Sequence, residues 1–333
     1  MREKEVSIII PIYNEQKHIK SCLDSIVNSD FDKTNLEVLL VDGGSTDKTL
    51  EIISSYIKNY PYFKLLHNSK QIVPVAMNMG IKQAQGSYII RLDAHASYPK
   101  DYLSKLIYWH KKLNADNVGG IWITETRIKT NTSNAIKNVL SDKLGVGSSF
   151  RVGVDKIKEV DTVPFGCYKK EIFDKIGLYD ERLVRNQDIE LNKRLKKAGG
   201  KIYLVPDIKC VYFARETFKE LAKNNFNNGL WNILTAYYTE SLSSLSLRHF
   251  VPLMFILSII FSFLLSFVFH WFFFVFVGIL FIYLLIISIR SFQIKRQTSF
   301  FHQLMAFLAL HFSYGIGSLV GIFIVFKKKF VRK

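Results

Sequence analysis

From His249 to Lys333 the chain contains no aspartate and no glutamate. A stretch of that length without a single acid reads as membrane segment rather than as soluble surface. It carries eight basic residues, Arg290, Lys295, Arg296, Lys327, Lys328, Lys329, Arg332 and Lys333, so of the net charge of +17 the first 248 residues hold +9. Cysteine is also scarce. Cys22, Cys167 and Cys210 are the only three, far apart and without metal-ligand spacing. That excludes a disulfide framework and a cysteine zinc site and fits reduced thiols in a cytosolic domain. The basic residues form no cluster of the kind that grips nucleic acid; those near the C-terminus flank apolar runs, where the positive-inside bias and anionic lipid headgroups explain them. No nucleic-acid partner is expected. Met1–Glu5 is charged and the next apolar run has only strand length, so no secretory signal is expected and the first domain should stay on the side where it is made.

The 333 residues suit two to three domains. Short β-branched runs at Val6–Ile10, Glu37–Val41, Phe63–His67 and Ser87–Leu92 alternate with helical periodicity around Ile19–Val27, Lys48–Lys58 and Pro74–Gln85, the last stopped at Gly86. Ser45 or Thr46 is expected to cap the second of these helices. This alternation predicts a mostly parallel α/β sheet with helices on its faces. Ligands bind such sheets at the carboxyl ends of the strands. The polar clusters Tyr13-Asn14-Glu15, Asp42 and Asp93-Ala94-His95 all fall at such ends. Gly119–Thr124 is strand-like, and 130–154 is expected to be an active-site loop with some helix. Asp188 opens a helix that Gly199-Gly200 ends, with a further strand at Lys201–Val205.

Residues 217–238 read as an amphipathic helix, and 217–248 as a stretch lying at the membrane interface. Apolar runs at 250–269 and 271–289 are long enough to cross ~30 Å of hydrocarbon, with His270-Trp271 at the hairpin tip. A third, at about 304–326, is left as spanning or re-entrant: simple alternation puts Lys327–Lys329 outside, against the charge bias, and Gly317 and Gly321 form a small-residue packing pair. The expected order is therefore a cytoplasmic catalytic domain at 1–216, interfacial helices at 217–248 and a multi-pass membrane segment at 249–333.

Four motifs in order, Ile9–Glu15, Asp42–Asp47, Asp93-Ala94-His95 and Asn186-Gln187-Asp188-Ile189-Glu190, resemble those of the family 2 glycosyltransferases with the GT-A fold. The runs Arg91–Ala96, Pro164–Tyr168 and Leu183–Asp188 look like the membrane-associated glucosyltransferases of the succinoglycan-biosynthesis type. The likeness covers roughly residues 5–235 and, more weakly, 311–321. It implies a nucleotide pocket lined by Pro11, Tyr13, Asn14, Glu15 and Asp42, with Asn78, Arg91, Asp93 and Lys70 as donor contacts. Asp93 and His95, one residue apart at a strand end, are expected to hold a divalent cation, Mn²⁺ or Mg²⁺, against the donor diphosphate. His95 stands where the family usually has a second Asp, Gly43 where a second acid usually follows Asp42, and Gln187 where a Glu usually precedes Asp188.

Asp188 matches the family's catalytic base; its bland alternative is a helix N-cap, and the two are compatible. Gly166 is expected to let backbone approach the donor sugar, with Gln187 and Glu190 beside the sugars. The resemblance implies an inverting hexosyltransferase acting from a UDP-sugar on a polyprenyl-diphosphate-linked saccharide in exopolysaccharide or cell-surface glycan synthesis. The competing readings are a polyprenyl-phosphate hexosyltransferase, a processive synthase, for which two or three spans are too few, and a catalytically inactive scaffold. The presence of Asp93, His95 and Asp188 weighs against the last.

Overall fold

The computed structural model describes residues 4–241, 245–294 and 298–331. Lys295, Arg296, Arg332 and Lys333 lie outside them. The chain forms two compact units, one built from residues up to Ile123 together with Ser149–Phe213, the other from Thr124–Ser148 and the chain from Ala214 onward.

The first unit begins β1 (Val6–Ile12), α1 (Ile19–Val27), β2 (Leu36–Asp42), α2 (Thr49–Asn59), β3 (Phe63–His67), α3 (Val73–Gln83), β4 (Tyr88–Arg91), α4 (Tyr102–Leu113) and β5 (Asn117–Glu125). After α5 (Asn131–Leu140) and α6 (Lys143–Val146) of the second unit, it resumes with α7 (Ser149–Val152), β6 (Lys158–Glu159), β7 (Cys167–Lys169), α8 (Ile172–Ile176), α9 (Gln187–Lys197) and β8 (Ile202–Phe213). All eight strands join one sheet in the order β3-β2-β1-β4-β7-β5-β8-β6. The β3-β2-β1-β4 half is parallel, because helices cross between its strands; β7 runs antiparallel to both β4 and β5. The expected α/β sheet is present, and it is mixed.

Every residue of β2 is buried and β1 is buried at all but one position, which is why these strands read as continuous apolar runs rather than alternating ones. One face packs on α1, α2 and α4 through Leu23, Ile53 and Leu106. The other packs on α3, α8 and α9 through Met77, Phe173 and Leu191. The helix after β2 starts at Thr49 with Lys48 at its N-cap position and no side-chain cap, so neither Ser45 nor Thr46 caps it; the Thr49 N–H donates to Asp47 Oδ1 at 3.0 Å. The three cysteines are buried and unbridged.

The second unit holds α5, α6, α10 (Phe218–Tyr238), α11 (Val251–Leu265), α12 (Trp271–Gln293) and α13 (Phe300–Val331). The stretch read as an active-site loop is thus mostly helical, and its first part belongs here: Ile136 and Val139 of α5 share a core with Ala306, Phe307 and Leu310 of α13. Three stretches, Leu247–Leu265, Trp271–Gln293 and Phe300–Phe330, are long and apolar enough to cross a membrane. Gly317 and Gly321 do pack on protein: a Cβ on Gly317 would enter the backbone of Phe226, and one on Gly321 would meet Leu230 O and Ile233 at 2.9 Å.

At the amino ends of the strands, Glu37 is 1 % exposed. Its carboxylate accepts from Ser7 Oγ and Gln85 N, each at 2.5 Å, and from Lys64 Nζ at 3.1 Å. Burial pushes the Glu37 carboxyl up, but these donors together hold it below its ordinary value of 4.5. The stabilisation it provides is therefore full above that value and fades as pH falls through the lower folded value. Glu37→Leu is expected to cost roughly 2 kcal/mol at neutral pH by leaving buried donors unsatisfied. The gap to wild type should shrink toward pH 3.5 when urea unfolding is followed by fluorescence.

Candidate active site

β1 has β2 on one side and β4 on the other, so the chain reverses direction across the sheet between β1 and β4. Parallel strands diverging from such a point leave a crevice at their carboxyl ends. A cavity of about 200 Å³ occupies it, walled by Pro11, Tyr13 and Glu15 after β1, Val41 and Gly43 at β2, Gln71 and Val73 before α3, and Arg91, Asp93 and His95 at β4.

The first motif supplies its rim. Tyr13 is 50 % exposed, an open aromatic face at the cavity edge. Asn14 takes φ +53° and serves as a clasp: its N–H donates to Ser45 Oγ at 2.9 Å and its Oδ1 accepts from Thr46 N at 2.8 Å. Asp42 is buried and does not wall the cavity. Its carboxylate accepts from the Gly44 and Ser45 N–H groups at 2.8 and 3.0 Å and from Ser45 Oγ at 2.6 Å, so it shapes the turn that carries Gly43. Asn78, expected at the donor, is buried elsewhere. Its amide exchanges two 2.9 Å bonds with the Tyr179 backbone and reaches Glu181 at 3.1 Å. Lys70 pairs with the same Glu181 at 3.0 Å.

Arg91 is the charged centre. Its Nε and Nη2 donate to Asp93 Oδ1 at 3.2 and 3.1 Å. Burial works against its charge, and the carboxylates of Asp93 and then Asp188 restore it, pushing the guanidinium upward. Tyr98 fixes the Asp93 backbone: its hydroxyl accepts from Asp93 N at 2.8 Å and donates to Asp93 O at 3.2 Å. Burial pushes the Tyr98 hydroxyl well up, so it stays protonated for both roles. His95 Nδ1 lies 3.1 Å from Glu15 Oε1. Asp93 and His95 thus wall one cavity but lean on different partners. Among the described residues no group of three or more His, Cys, Asp or Glu side chains is placed to hold a metal. One oxygen and one nitrogen donor leave a divalent ion to take its remaining ligands from diphosphate oxygens and water, a mixed set that suits Mn²⁺ better than the all-oxygen preference of Mg²⁺.

Asp188 is not the cap of α9. Asn186 precedes the helix in the left-handed conformation, φ +60°, and Asp188 sits inside the first turn with Oδ1 accepting from Ile189 N at 2.9 Å. Gln187 is buried and its Oε1 has no hydrogen-bond partner. Glu190, expected beside the sugars, is buried and taken by Arg194, which donates to it at 2.6 and 2.8 Å and also to Ile176 O and Leu178 O. Gly166 is small for a different reason from the one expected. A Cβ there would meet Asn117 Oδ1 at 2.5 Å and the Tyr168 ring at 2.7 Å, so it makes room for the buried Asn117–Asn192 amide pair.

Gln71, Asn68 and Tyr98 were not singled out from sequence, and Gly43 was noted there only as a departure from the family's turn, not as a cavity wall. Gln71 sits at φ +57° and walls the cavity; Asn68 Oδ1 accepts from Lys70 N at 3.1 Å and shapes that loop. Their signal was available, since the polar run Asn68–Gln71 directly follows the β3 strand.

The profile described as glycosyl transferase family 2 matches residues 7–177. A dolichyl N-acetyl-α-D-glucosaminyl phosphate 3-β-D-2,3-diacetamido-2,3-dideoxy-β-D-glucuronosyltransferase of Methanococcus voltae is 36% identical over 233 residues, 67% of this chain and 71% of the relative. The succinoglycan biosynthesis protein ExoA of Rhizobium meliloti (strain 1021) is 32% identical over 225 residues, 67% of each chain. Among solved structures, the mannosyltransferase PcManGT of Pyrobaculum calidifontis, in complex with GDP-Man and Mn²⁺, shares the fold with a TM-score of 0.53 at 19% identity, covering 72% of this chain and 65% of that one.

Because Glu190 neutralises Arg194, Glu190→Ala is expected to cost about 2 kcal/mol, less than a fully buried pair since Arg194 is 30 % exposed. A lowered urea midpoint with unchanged substrate KM is the expected result; a raised KM at unchanged stability would return Glu190 to the sugars.

Proposed function

The chain belongs to glycosyl transferase family 2, and on that premise we propose that it inverts the anomeric centre as it moves a hexose from a UDP-sugar to a lipid-linked saccharide in cell-surface glycan synthesis. The observation that carries this reading is Arg91, half-buried on the cavity wall at the switch point and held by Asp93 Oδ1 at 3.1 Å. It provides a fixed positive charge for the donor diphosphate at the cavity wall.

Tyr13 offers its ring to the base, and the clasp of Asn14 on the Asp42 turn keeps that rim in place. Asp93 and His95 are the residues that would hold a divalent cation, which when bound draws charge from the departing diphosphate. Asp188 takes the proton from the acceptor hydroxyl as its oxygen forms the new bond to the anomeric carbon. The old bond to the diphosphate breaks on the opposite face and the nucleoside diphosphate leaves. The acceptor class is supported by the lipid-phosphate sugar named for the Methanococcus relative and by the apolar helices.

The membrane arrangement we favour has two spans. α11 and α12 form a hairpin, and Phe255 and Tyr283 meet Phe312 of α13 at 5.6 and 5.8 Å between centroids. α13 runs beside α10 in the same direction: Phe218 lies by His302, Gly229 by Ser318, and Tyr238 by Lys328. α10 carries Lys219, Glu220, Lys223 and five asparagines, Asn224, Asn225, Asn227, Asn228 and Asn232. Hydrocarbon does not accept such a helix cheaply. α13 therefore lies with it at the interface, and Lys327–Lys329 stay on the cytoplasmic side with the catalytic unit, as the positive-inside bias asks.

Two measurements test these readings. Full-length protein in detergent, with Mn²⁺ or Mg²⁺, is offered a panel of UDP- and GDP-sugars and lipid-linked saccharides. One UDP-sugar should give lipid-dependent UDP release, and Asp188→Asn should reduce it by roughly 10²-fold or more with donor binding retained. Failure of every nucleotide sugar to bind would remove the donor site. For topology, a C-terminal green fluorescent protein fusion should fluoresce and a C-terminal alkaline phosphatase fusion should be inactive; the reverse pattern makes α13 a third span.

A further inference from the structure

One stack of side chains in the first unit has no part in the reaction just described. Trp122 comes from β5, Tyr212 from β8, and Phe150 and Arg151 from α7. The Trp122 and Tyr212 rings are parallel, with centroids 4.4 Å apart. Arg151 Cζ lies 4.4 Å from each of those centroids and 6.0 Å from that of Phe150. Aromatic faces hold a guanidinium and fix its plane while leaving its N–H fork to another ligand.

Within the chain that fork is not fully used. Among the described residues the buried Nη1 of Arg151 has no acceptor, and neither has the buried indole Nε1 of Trp122 in the same stack. An unsatisfied buried donor costs about 1–3 kcal/mol, and more for a charged group. A purely packing role for Arg151 explains the ring contacts but leaves both donors facing nothing. Two donors, one cationic, call for a ligand that only accepts and is negatively charged. A phosphate is such a ligand, and the planar fork matches it bidentately.

We propose that Arg151 and Trp122 bind the phosphate of the lipid-linked acceptor, an inference that rests on the acceptor reading above. Position separates this phosphate from the donor's. Trp122 packs on Phe165, at 5.2 Å between centroids, and Phe165 packs on Tyr98 at 5.8 Å. Tyr98 in turn holds the Asp93 backbone. A phosphate on Arg151 is thus a few side chains beyond the donor diphosphate, which leaves the acceptor sugar to bridge toward the anomeric carbon.

The test is calorimetric, on full-length protein in detergent, with farnesyl phosphate, farnesol and UDP as probes. Farnesyl phosphate affinity should fall roughly tenfold or more in Arg151→Gln, the loss of a charged hydrogen bond. Arg151→Lys and Trp122→Phe should each lose several-fold, since one keeps the charge without the fork and the other keeps the ring without its N–H. Farnesol and UDP should bind all variants as they bind wild type. Wild-type farnesyl phosphate affinity in Arg151→Gln overturns the proposal. So does an equal loss of UDP affinity, which would give the arginine to the donor. Should Arg151→Gln fail to fold, the two milder variants decide by the same criteria. The transfer assay keeps the two readings apart. Arg151-dependent binding of farnesyl phosphate without any transfer to lipid-linked saccharides retains the phosphate site and removes the acceptor reaction. Transfer with unchanged acceptor KM in Arg151→Lys and Trp122→Phe removes the phosphate site alone.

Discussion

A half-buried guanidinium held by a neighbouring carboxylate sets the layout of the catalytic unit. Arg91 ends β4 next to the sheet's switch point, and without Asp93 its charge would sit in the protein unpaired. Tyr98 pins the Asp93 backbone, which fixes the point from which the carboxylate reaches the guanidinium. The cavity forms in front of this pair because β1 and β4 part company there. Asn14, Asp42 and Asn68 are spent on loop geometry around it. Each closes a turn with its side chain, leaving Tyr13, Gln71 and Gly43 as the surfaces that face a ligand.

The same economy governs the helix that brings Asp188. Arg194 is tied to Glu190 and to two carbonyls at the end of α8, which anchors α9. Asn186 takes the left-handed turn that starts the helix, and Gln187 and Asp188 occupy its first turn. Two acids two residues apart thus have different fates, one neutralised in the packing and one left to act at a distance on Arg91. Within the second unit, close backbone approach does comparable work. Gly229, Gly317 and Gly321 let α10 and α13 run side by side, and this pairing, rather than hydropathy, argues where α13 lies.

Sequence by itself determined a good deal. The continuous apolar runs of β1 and β2 could only be strands covered on both faces, and the alternation with helices gave the parallel half of the sheet. Polar clusters at strand ends located the crevice and named Tyr13, Glu15, Asp93 and His95, the family resemblance added Pro11 and Arg91, and these six meet at one cavity. The acid-free C-terminal quarter marked the membrane segment.

What only the tertiary structure decided were partnerships over long separations. That Asn78 serves Tyr179, Gly166 serves Asn117 and Glu190 serves Arg194 could not be read from motif positions. A motif says which residue types are present, while the partner that consumes a side chain's hydrogen bonds is set by the packing of distant elements. Nor could sequence show that residues 124–148 fold with the C-terminal helices, or that Arg151 meets Trp122 and Tyr212. Periodicity reports one element at a time, and such relations exist only once β5 and β8 lie beside one another in the sheet with α7 packed against them.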